Sequence, residues 1–329
     1  MVNLLTAMLI IQMEKMKRNK LIIGSRGSEL ALWQANFIKK ELKRKNQNLS
    51  VEIKIISTKG DKILNVALSK IGDKGLFTKE LENELLKGTI NLAVHSLKDL
   101  QTEIPKGLKL AAVTKRHRVE EVLIARKKGT KIKDLRIGAI VATGSLRRES
   151  QLLHLRPDIK TEKLHGNVPT RIKKFLDSKW DAIILARAGV ERLKLDKYIS
   201  SFISTKDILP AAGQGTLAIE IRKDDSFAEN ILKSIHDEKT YIAVKAERSL
   251  LKALEGGCQV PIGAYAQVKP NGLYLEAVVG SLDGSVTFRK KIRGAKTNPE
   301  RLGMKLATDL LNAGADKILN DIYNNSRSK

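Results

Sequence analysis

A single cysteine on a glycine-bearing loop is the most distinctive chemical group in this sequence. It is Cys258, the only cysteine among 329 residues, and Gly256 and Gly257 stand directly before it. Two glycines leave the sulfur open to a bulky partner, and they permit the left-handed backbone that often ends a helix. Alone, the thiol is ambiguous, because a lone intracellular cysteine more often serves as a small buried apolar side chain.

A carboxylate follows the end of a predicted buried strand. The strand is Leu92–Ser96, and Lys98 and Asp99 come just beyond it. Ligands of open α/β sheets lie beyond the carboxyl ends of the strands, which makes Asp99 a candidate for a carboxylate within a site. The alternative is an aspartate that caps a turn, with Lys98 as its ion-pair partner.

Arginines stand at two strand-to-helix turns. Residues 21–24 and 136–141 predict strands, and each strand runs through a short polar turn into a helix. Helix N-termini attract anions through their free N–H groups and their dipole, although ordinary turns with solvent-facing arginines are the alternative. The side chains at these turns are Arg26 and the N-cap Ser28 in the first unit, and Ser145, Arg147 and Arg148 in the second.

Two lysines accompany a further glycine-bearing stretch. Lys74 lies between Gly72 and Gly75, with Lys70 just upstream. The spacing is not that of a Walker phosphate loop, so we predict a loop that presents lysine. We expect Thr78 to cap the helix that follows.

The formal net charge of +25 favours an anionic partner, either nucleic acid or a small polyanion. Aromatic residues make up only 4%, which leaves few platforms for base stacking, and no finger or basic-zipper signature appears. The five histidines are scattered, so we expect no zinc site. A single cysteine excludes a disulfide within the chain and fits a reducing compartment.

The order of predicted elements indicates an α/β protein. Two α/β units with basic turns come first, and a smaller α+β unit with three strands and a final helix near Pro299 follows. Residues 1–19 read as a tail, because their apolar run is too short to span a bilayer and lacks the basic start of a signal peptide. We therefore expect a cytoplasmic protein.

Several stretches together resemble one enzyme family. They occur in the family's order at residues 24–35 (GSRGSELALWQA), 74–80 (KGLFTKE), 95–99 (HSLKD), 144–148 (GSLRR), 166–171, 181–186, 212–215 (AGQG) and 254–263 (LEGGCQVPIG). The sequence is thereby similar to the hydroxymethylbilane synthase, or porphobilinogen deaminase, family. Each motif alone is modest evidence for the family, but the whole set in this order is highly specific.

The resemblance implies two domains like those of periplasmic binding proteins, with the active site in the cleft between them, and a third domain that carries the cofactor. The expected division is 20–115 with 216–236 for domain 1, 116–215 for domain 2 and 237–329 for domain 3. The family is mostly monomeric, and its partner is a small molecule, with no nucleic acid or membrane involved.

The implied reaction joins four porphobilinogen molecules head to tail, with loss of ammonia, into hydroxymethylbilane. The implied cofactor is a dipyrromethane in thioether linkage to Cys258. Asp99 would stabilise positive charge that develops on pyrrole nitrogen. Cofactor contacts would come from Lys98, Asp99, Ser145, Arg147 and Arg148, and substrate contacts from Arg26, Ser28, Lys70, Lys74, His165, Arg171 and Arg192.

Three positions depart from the family's pattern. His165 stands where the family commonly has arginine, and a histidine cannot grip a carboxylate with two N–H groups as arginine does. Pro169 stiffens the same turn, and Gln101 replaces a usual proline. We considered Arg187, where the family usually has an uncharged residue, as compensation for His165.

Two other classes of protein share part of this pattern. A non-catalytic two-domain protein that closes on a small anion would need the arginines and the cleft but neither Cys258 nor Asp99. The case for a nucleic-acid-binding protein rests on net charge alone.

Overall fold

The computed structural model describes residues 19–58, 78–255 and 260–327. Its strands form two five-stranded sheets and one three-stranded sheet. Within these ranges, no helix has the length and apolar character needed to cross a membrane.

The first sheet has the order β2-β1-β3-β10-β4. Strands β1 and β2 are parallel, β1 and β3 are parallel, and β10 is antiparallel to both β3 and β4. The strands are β1 (Lys20–Ser25), β2 (Ser50–Ile55), β3 (Leu92–Ser96), β4 (Leu108–Val113) and β10 (Leu217–Arg222), with helices α1 (Glu29–Lys45), α2 (Lys79–Leu86) and α6 (Ser226–Leu232). A distant segment of the chain therefore returns to complete this sheet.

The second sheet has the order β7-β6-β8-β5-β9, with β5 antiparallel to both β8 and β9. The chain enters the second unit at β5 and later returns to the first unit at β10. Each of these two strands lies between two antiparallel neighbours in its sheet. The elements are β5 (Glu121–Ala125), β6 (Ile140–Ala142), α3 (Leu146–Leu155), β7 (Lys160–Glu162), α4 (Val168–Leu176), β8 (Ala182–Ala186), α5 (Arg187–Arg192) and β9 (Ser201–Ile203).

Two local predictions need correction. Strand β6 begins at Ile140 and not at Arg136, because residues 136–139 form a turn in which the N–H of Ala139 donates to the carbonyl oxygen of Arg136 at 3.1 Å and Gly138 has a φ of 69°. Thr78 does stand before α2, but its side chain makes no capping hydrogen bond. Ser28 caps α1 as predicted, by accepting from the N–H of Ala31.

The third unit packs three helices around a core that they share with a three-stranded antiparallel sheet. It contains α7 (Glu238–Ala253), β11 (Ile262–Lys269), β12 (Gly272–Gly280), β13 (Thr287–Gly294), α8 (Pro299–Leu310) and α9 (Asp316–Arg327). Gly303 lets α8 lie close to α7, because a Cβ at this position would stand 2.3 Å from the carbonyl oxygen of Ala246. The α/β fold class with a smaller C-terminal domain is confirmed.

One buried carboxylate ties the third unit to both segments that connect the first two units. The first crossing is residues 114–120, between β4 and β5, and the second crossing is residues 204–216, between β9 and β10. Glu247 of α7 binds Arg116 of the first crossing at 2.5 Å and accepts the N–H of Gly213 in the second at 2.7 Å. It also accepts the N–H of Ala266 in β11 at 2.7 Å. One side chain therefore attaches the third unit to both crossings.

Candidate active site

The Lys98–Asp99 pair lies where β3 ends. The short 3-10 helix Leu97–Asp99 follows β3 directly, with Leu97 buried, Lys98 half-buried and Asp99 exposed. Burial lowers the pKa of Lys98, and the charge of Asp99 opposes that shift. The charges of Arg148 and Arg147, on the first helix of the second unit, lower it further, and the charge of Glu121 opposes them.

Arg147 and Arg148 share a buried carboxylate, Glu121 of β5. Arg147 Nη2 lies 2.5 Å from Glu121 Oε1, and Arg148 Nη2 lies 2.8 Å from Oε2. The exposed fractions are 5% for Arg147, 4% for Arg148 and 0% for Glu121. Glu121 thus holds in place the two arginines that were predicted to face either solvent or an anion.

Glu121 was not predicted as a functional residue. It opens a strand that otherwise reads Val-Leu-Ile-Ala, and an acid at a strand start usually faces water. A signal was present, because two adjacent arginines at one helix start require a compensating charge if they are buried. Burial alone would raise the pKa of Glu121, but Arg148 and Arg147 outweigh it and lower the pKa to about 2.

Replacing Glu121 by glutamine is expected to destabilise the protein by about 3–5 kcal/mol, because two buried guanidinium groups lose their counter-charge. Urea unfolding at neutral pH measures this loss. The wild type should also lose stability as the pH falls from 4.5, the ordinary pKa of the group, towards about 2, and the variant should lack this acid-sensitive contribution.

A suitable control for that variant is Glu52→Gln. Glu52 is exposed and pairs with Lys20 at the surface, where such pairs contribute little. We expect no measurable change in this control. A Glu121→Gln protein as stable as the wild type would contradict the buried three-residue arrangement.

Arg171 extends the cationic cluster from the start of α4. Its Nε donates to the carbonyl oxygen of Gly166 at 2.6 Å. Burial and, after it, the charge of Arg148 lower its pKa to about 10, and the charge of Asp99 opposes this shift. The cluster comprises four cationic side chains and two carboxylates, namely Lys98, Arg147, Arg148 and Arg171 with Asp99 and Glu121.

His165 is half-buried beside the turn that leads to Arg147. Its Nδ1 would stand 3.6 Å from a Cβ built on Gly144, so it lies against that turn. Burial, followed by the charges of Arg171 and Lys174, lowers the pKa of His165. The imidazole is accordingly neutral near pH 7 and adds no charge to the cluster.

Arg187 does not compensate for His165. It binds Glu191 at 2.6 Å and lies 3.8 Å from Glu120, and its guanidinium stacks on the ring of Phe202 at 4.0 Å. These contacts occupy Arg187, so the compensation that we considered is not supported.

Arg192 lies where helix α5 contacts helix α1. It is 8% exposed, donates to the carbonyl oxygen of Gly215 at 3.0 Å and stands 5.4 Å from the ring of Trp33 in α1. Burial lowers its pKa to about 10. Through its bond to Gly215, Arg192 therefore contacts the second crossing, residues 204–216.

The remaining predicted residues lie at turns or outside the described ranges. Arg26 and Ser28 are half-buried at the β1–α1 turn, and Ser145 is half-buried at the start of α3. The structure does not describe Lys70, Lys74 or Cys258, which lie outside residues 19–58, 78–255 and 260–327. Within those ranges, no group of three His, Cys, Asp or Glu side chains could hold a metal ion.

The cluster suits a ligand with several carboxylates. Cations outnumber carboxylates in it, and arginine binds carboxylates through paired N–H groups. The Nε–H of Arg148 is buried and has no hydrogen-bond partner among the described residues. Arg148 can therefore donate a further hydrogen bond to a ligand in addition to its bond to Glu121.

Two family models match most of this chain. The family model for the porphobilinogen deaminase dipyromethane cofactor binding domain matches residues 21–230, and the model for the C-terminal domain of that enzyme matches residues 241–312. Among solved structures, the methionine binding protein MetQ is 13% identical with a TM-score of 0.42, over 68% of this chain and 93% of its own.

Curated relatives match over nearly their whole length. The porphobilinogen deaminase of Carboxydothermus hydrogenoformans is 49% identical over 93% of this chain and 98% of its own. That of Chloroherpeton thalassium is 48% identical over the same shares of the two chains. The chain belongs to the porphobilinogen deaminase family.

Proposed function

We propose that this protein is a hydroxymethylbilane synthase, a transferase that condenses four porphobilinogen molecules head to tail with loss of ammonia. The observation that carries the proposal is the cationic cluster around Lys98 and Asp99, which draws its members from both sides of the contact between two domains. Porphobilinogen bears an acetate and a propionate, so a growing chain of linked pyrroles is a polyanion. Four buried or half-buried cations match that charge.

The residues fit a dipyrromethane held through its carboxylates by Arg147, Arg148 and Lys98, with Ser145 at the same turn and the covalent link at Cys258. When bound, this group supplies a pyrrole position from which the chain of substrate units is extended. Glu121 orients the two arginines, because both of its oxygens are bonded to them. Their positions are therefore set before any ligand binds.

Asp99 is the proposed catalytic residue. Loss of ammonia from a substrate unit leaves a cationic carbon, and attack by the next pyrrole puts positive charge on the ring nitrogen. An exposed carboxylate at the end of β3 can accept a hydrogen bond from pyrrole N–H and stabilise that charge. Lys98, directly before Asp99, would hold a carboxylate of the ligand.

The other predicted side chains are proposed to bind substrate carboxylates. Arg171 stands in the cationic cluster, and Arg26 and Ser28 lie at the β1–α1 turn. Arg192 would act where the two domains meet, close to Trp33. Lys70 and Lys74 are proposed to steer the anionic substrate, and His165, being neutral near pH 7, would contribute a hydrogen bond and no charge.

We also propose an organisation, a location and an oligomeric state for the molecule. Domain 1 would comprise 20–115 with 216–236, domain 2 would comprise 116–215, and domain 3 would comprise 237–329, with residues 1–19 as a tail. The protein would act as a cytoplasmic monomer, without nucleic acid. The non-catalytic anion-binding alternative is not favoured, because the curated relatives carry the name of an enzyme.

A turnover assay tests the proposed reaction. Purified protein given porphobilinogen should consume it and release one ammonia for each molecule consumed, with hydroxymethylbilane as the first product. Ammonia and porphobilinogen are measured in the same samples, and heat-denatured protein serves as the control. Binding of porphobilinogen without release of ammonia would contradict the proposal and support a binding protein.

A further inference from the structure

We propose that Arg248, on helix α7 of the third unit, is a positioning residue for Asp99. Its guanidinium donates to the carbonyl oxygens of Leu100 at 3.2 Å, Gln101 at 2.6 Å and Thr102 at 3.1 Å. These are the three residues that follow Asp99 in the chain. The inference rests on the proposed catalytic role of Asp99.

The short turn that carries Asp99 is anchored at its start by the first sheet. The N–H of Leu97 donates to the carbonyl oxygen of Thr216 at 3.0 Å, and the Leu97 side chain is buried. The N–H of Leu100 then donates to the carbonyl oxygen of Leu97 at 3.2 Å and closes the turn. Asp99 itself is exposed, so its position depends on how the two ends of this turn are held.

Arg248 holds the second end of the turn. Residues 101–105 lie between the helices and strands, so the regular ladders of the fold do not fix them. Arginine presents its N–H groups in a rigid planar fork, which fixes the three carbonyl groups relative to one another. Burial lowers the pKa of Arg248 to about 10, and the charge of Glu220 opposes this shift. The guanidinium therefore remains charged near pH 7, and its bonds to the carbonyls are strengthened by that charge.

Helix α7 presents Arg248 from a fixed base. The preceding residue, Glu247, is bonded to both crossings, and Leu250 is fully buried in the core of the third unit. A side chain of the third unit thus sets the backbone next to the proposed catalytic carboxylate of the first unit. The third unit would thereby contribute to the chemical step through Arg248.

The backbone at Leu100 allows the same segment to be fixed in a second way. Leu100 has φ −85° and ψ 132°, an extended conformation that suits a residue before proline. A proline at the next position would fix its own φ near −65°. Gln101→Pro should therefore replace part of the restraint that Arg248 supplies through hydrogen bonds.

Arg248→Gln removes the charged fork, and steady-state kinetics with porphobilinogen measures the result. We expect kcat to fall about ten- to hundredfold, the scale of loss that follows a displacement of about 1 Å at a reacting centre. KM should stay unchanged, and intact mass should still show two added pyrrole units. Gln101→Pro in this background should recover most of the lost kcat, whereas Gln101→Pro alone should turn over at the wild-type rate.

Arg126→Gln is the matched control, because Arg126 also holds several carbonyl groups with one guanidinium. It donates to the carbonyl oxygens of Phe175 at 2.9 Å and Trp180 at 3.0 Å in the second unit. This variant should melt earlier than the wild type and keep its kcat. If Arg248→Gln does not fold, Arg248→Lys replaces it: the ammonium keeps the charge without the planar fork, and kcat should fall in the same direction and recover with Gln101→Pro.

Three results would overturn the proposal. They are an Arg248 variant that melts earlier but keeps the wild-type kcat, a loss of kcat that Gln101→Pro does not recover, and a folded Arg248 variant that carries no cofactor. A wild type that consumes no porphobilinogen would instead contradict the proposed function itself, and with it this inference.

Discussion

Asp99→Asn is expected to lower turnover about 100- to 10,000-fold while the protein keeps its covalent cofactor. The substitution preserves shape and removes the negative charge, so positive charge that develops on pyrrole nitrogen loses its carboxylate. Cofactor retention follows because Asp99 is not the point of attachment. Porphobilinogen consumption measures the turnover, and intact mass measures the cofactor.

The control for Asp99 is Asp177→Asn. Asp177 is exposed at the end of α4, and we expect this variant to turn over at the wild-type rate. An Asp99→Asn enzyme with near-normal turnover would remove Asp99 from its proposed role. A variant without cofactor would instead show that Asp99 acts in cofactor assembly.

Cys258→Ala is expected to abolish turnover entirely. Without the thiol no thioether to dipyrromethane forms, and the first substrate unit has no primer to extend. Cys258→Ser is the conservative companion variant, and it should also be inactive, because a hydroxyl is a much weaker nucleophile than a thiolate. Urea unfolding checks that both variants are folded, since alanine and serine are each close to cysteine in size.

The sequence predicted the parts of the site that depend on local order. Strand, turn and helix N-terminus follow one another within a few residues, so the placements of Ser28, Arg26 and Asp99 were readable from local patterns. The two α/β units and the three-stranded C-terminal sheet could be predicted for the same reason. Alternation and apolar spacing need no knowledge of distant contacts.

Partners that lie far apart in the chain could not be predicted. Glu121 meets Arg147 and Arg148 across 26 and 27 residues, and Arg116 meets Glu247 across 131. Nothing local distinguishes these acids from surface ones, because their burial is decided by how the units pack.

The contacts of Arg187 show why it does not support the compensation considered for His165. Glu191 lies one helical turn further along the chain, and Glu120 directly precedes β5. The guanidinium also stacks on the ring of Phe202. Two acids and an aromatic ring therefore decide the position of Arg187.

The intact mass of the purified protein tests the central claim most directly. Protein from cells that make porphobilinogen should be heavier than its sequence by two pyrrole units, and Cys258→Ala from the same cells should have the mass of its sequence alone. The wild type should also give the colour reaction of a dipyrromethane with Ehrlich's reagent. A wild type without added mass, or a Cys258→Ala protein that still carries it, would contradict the account.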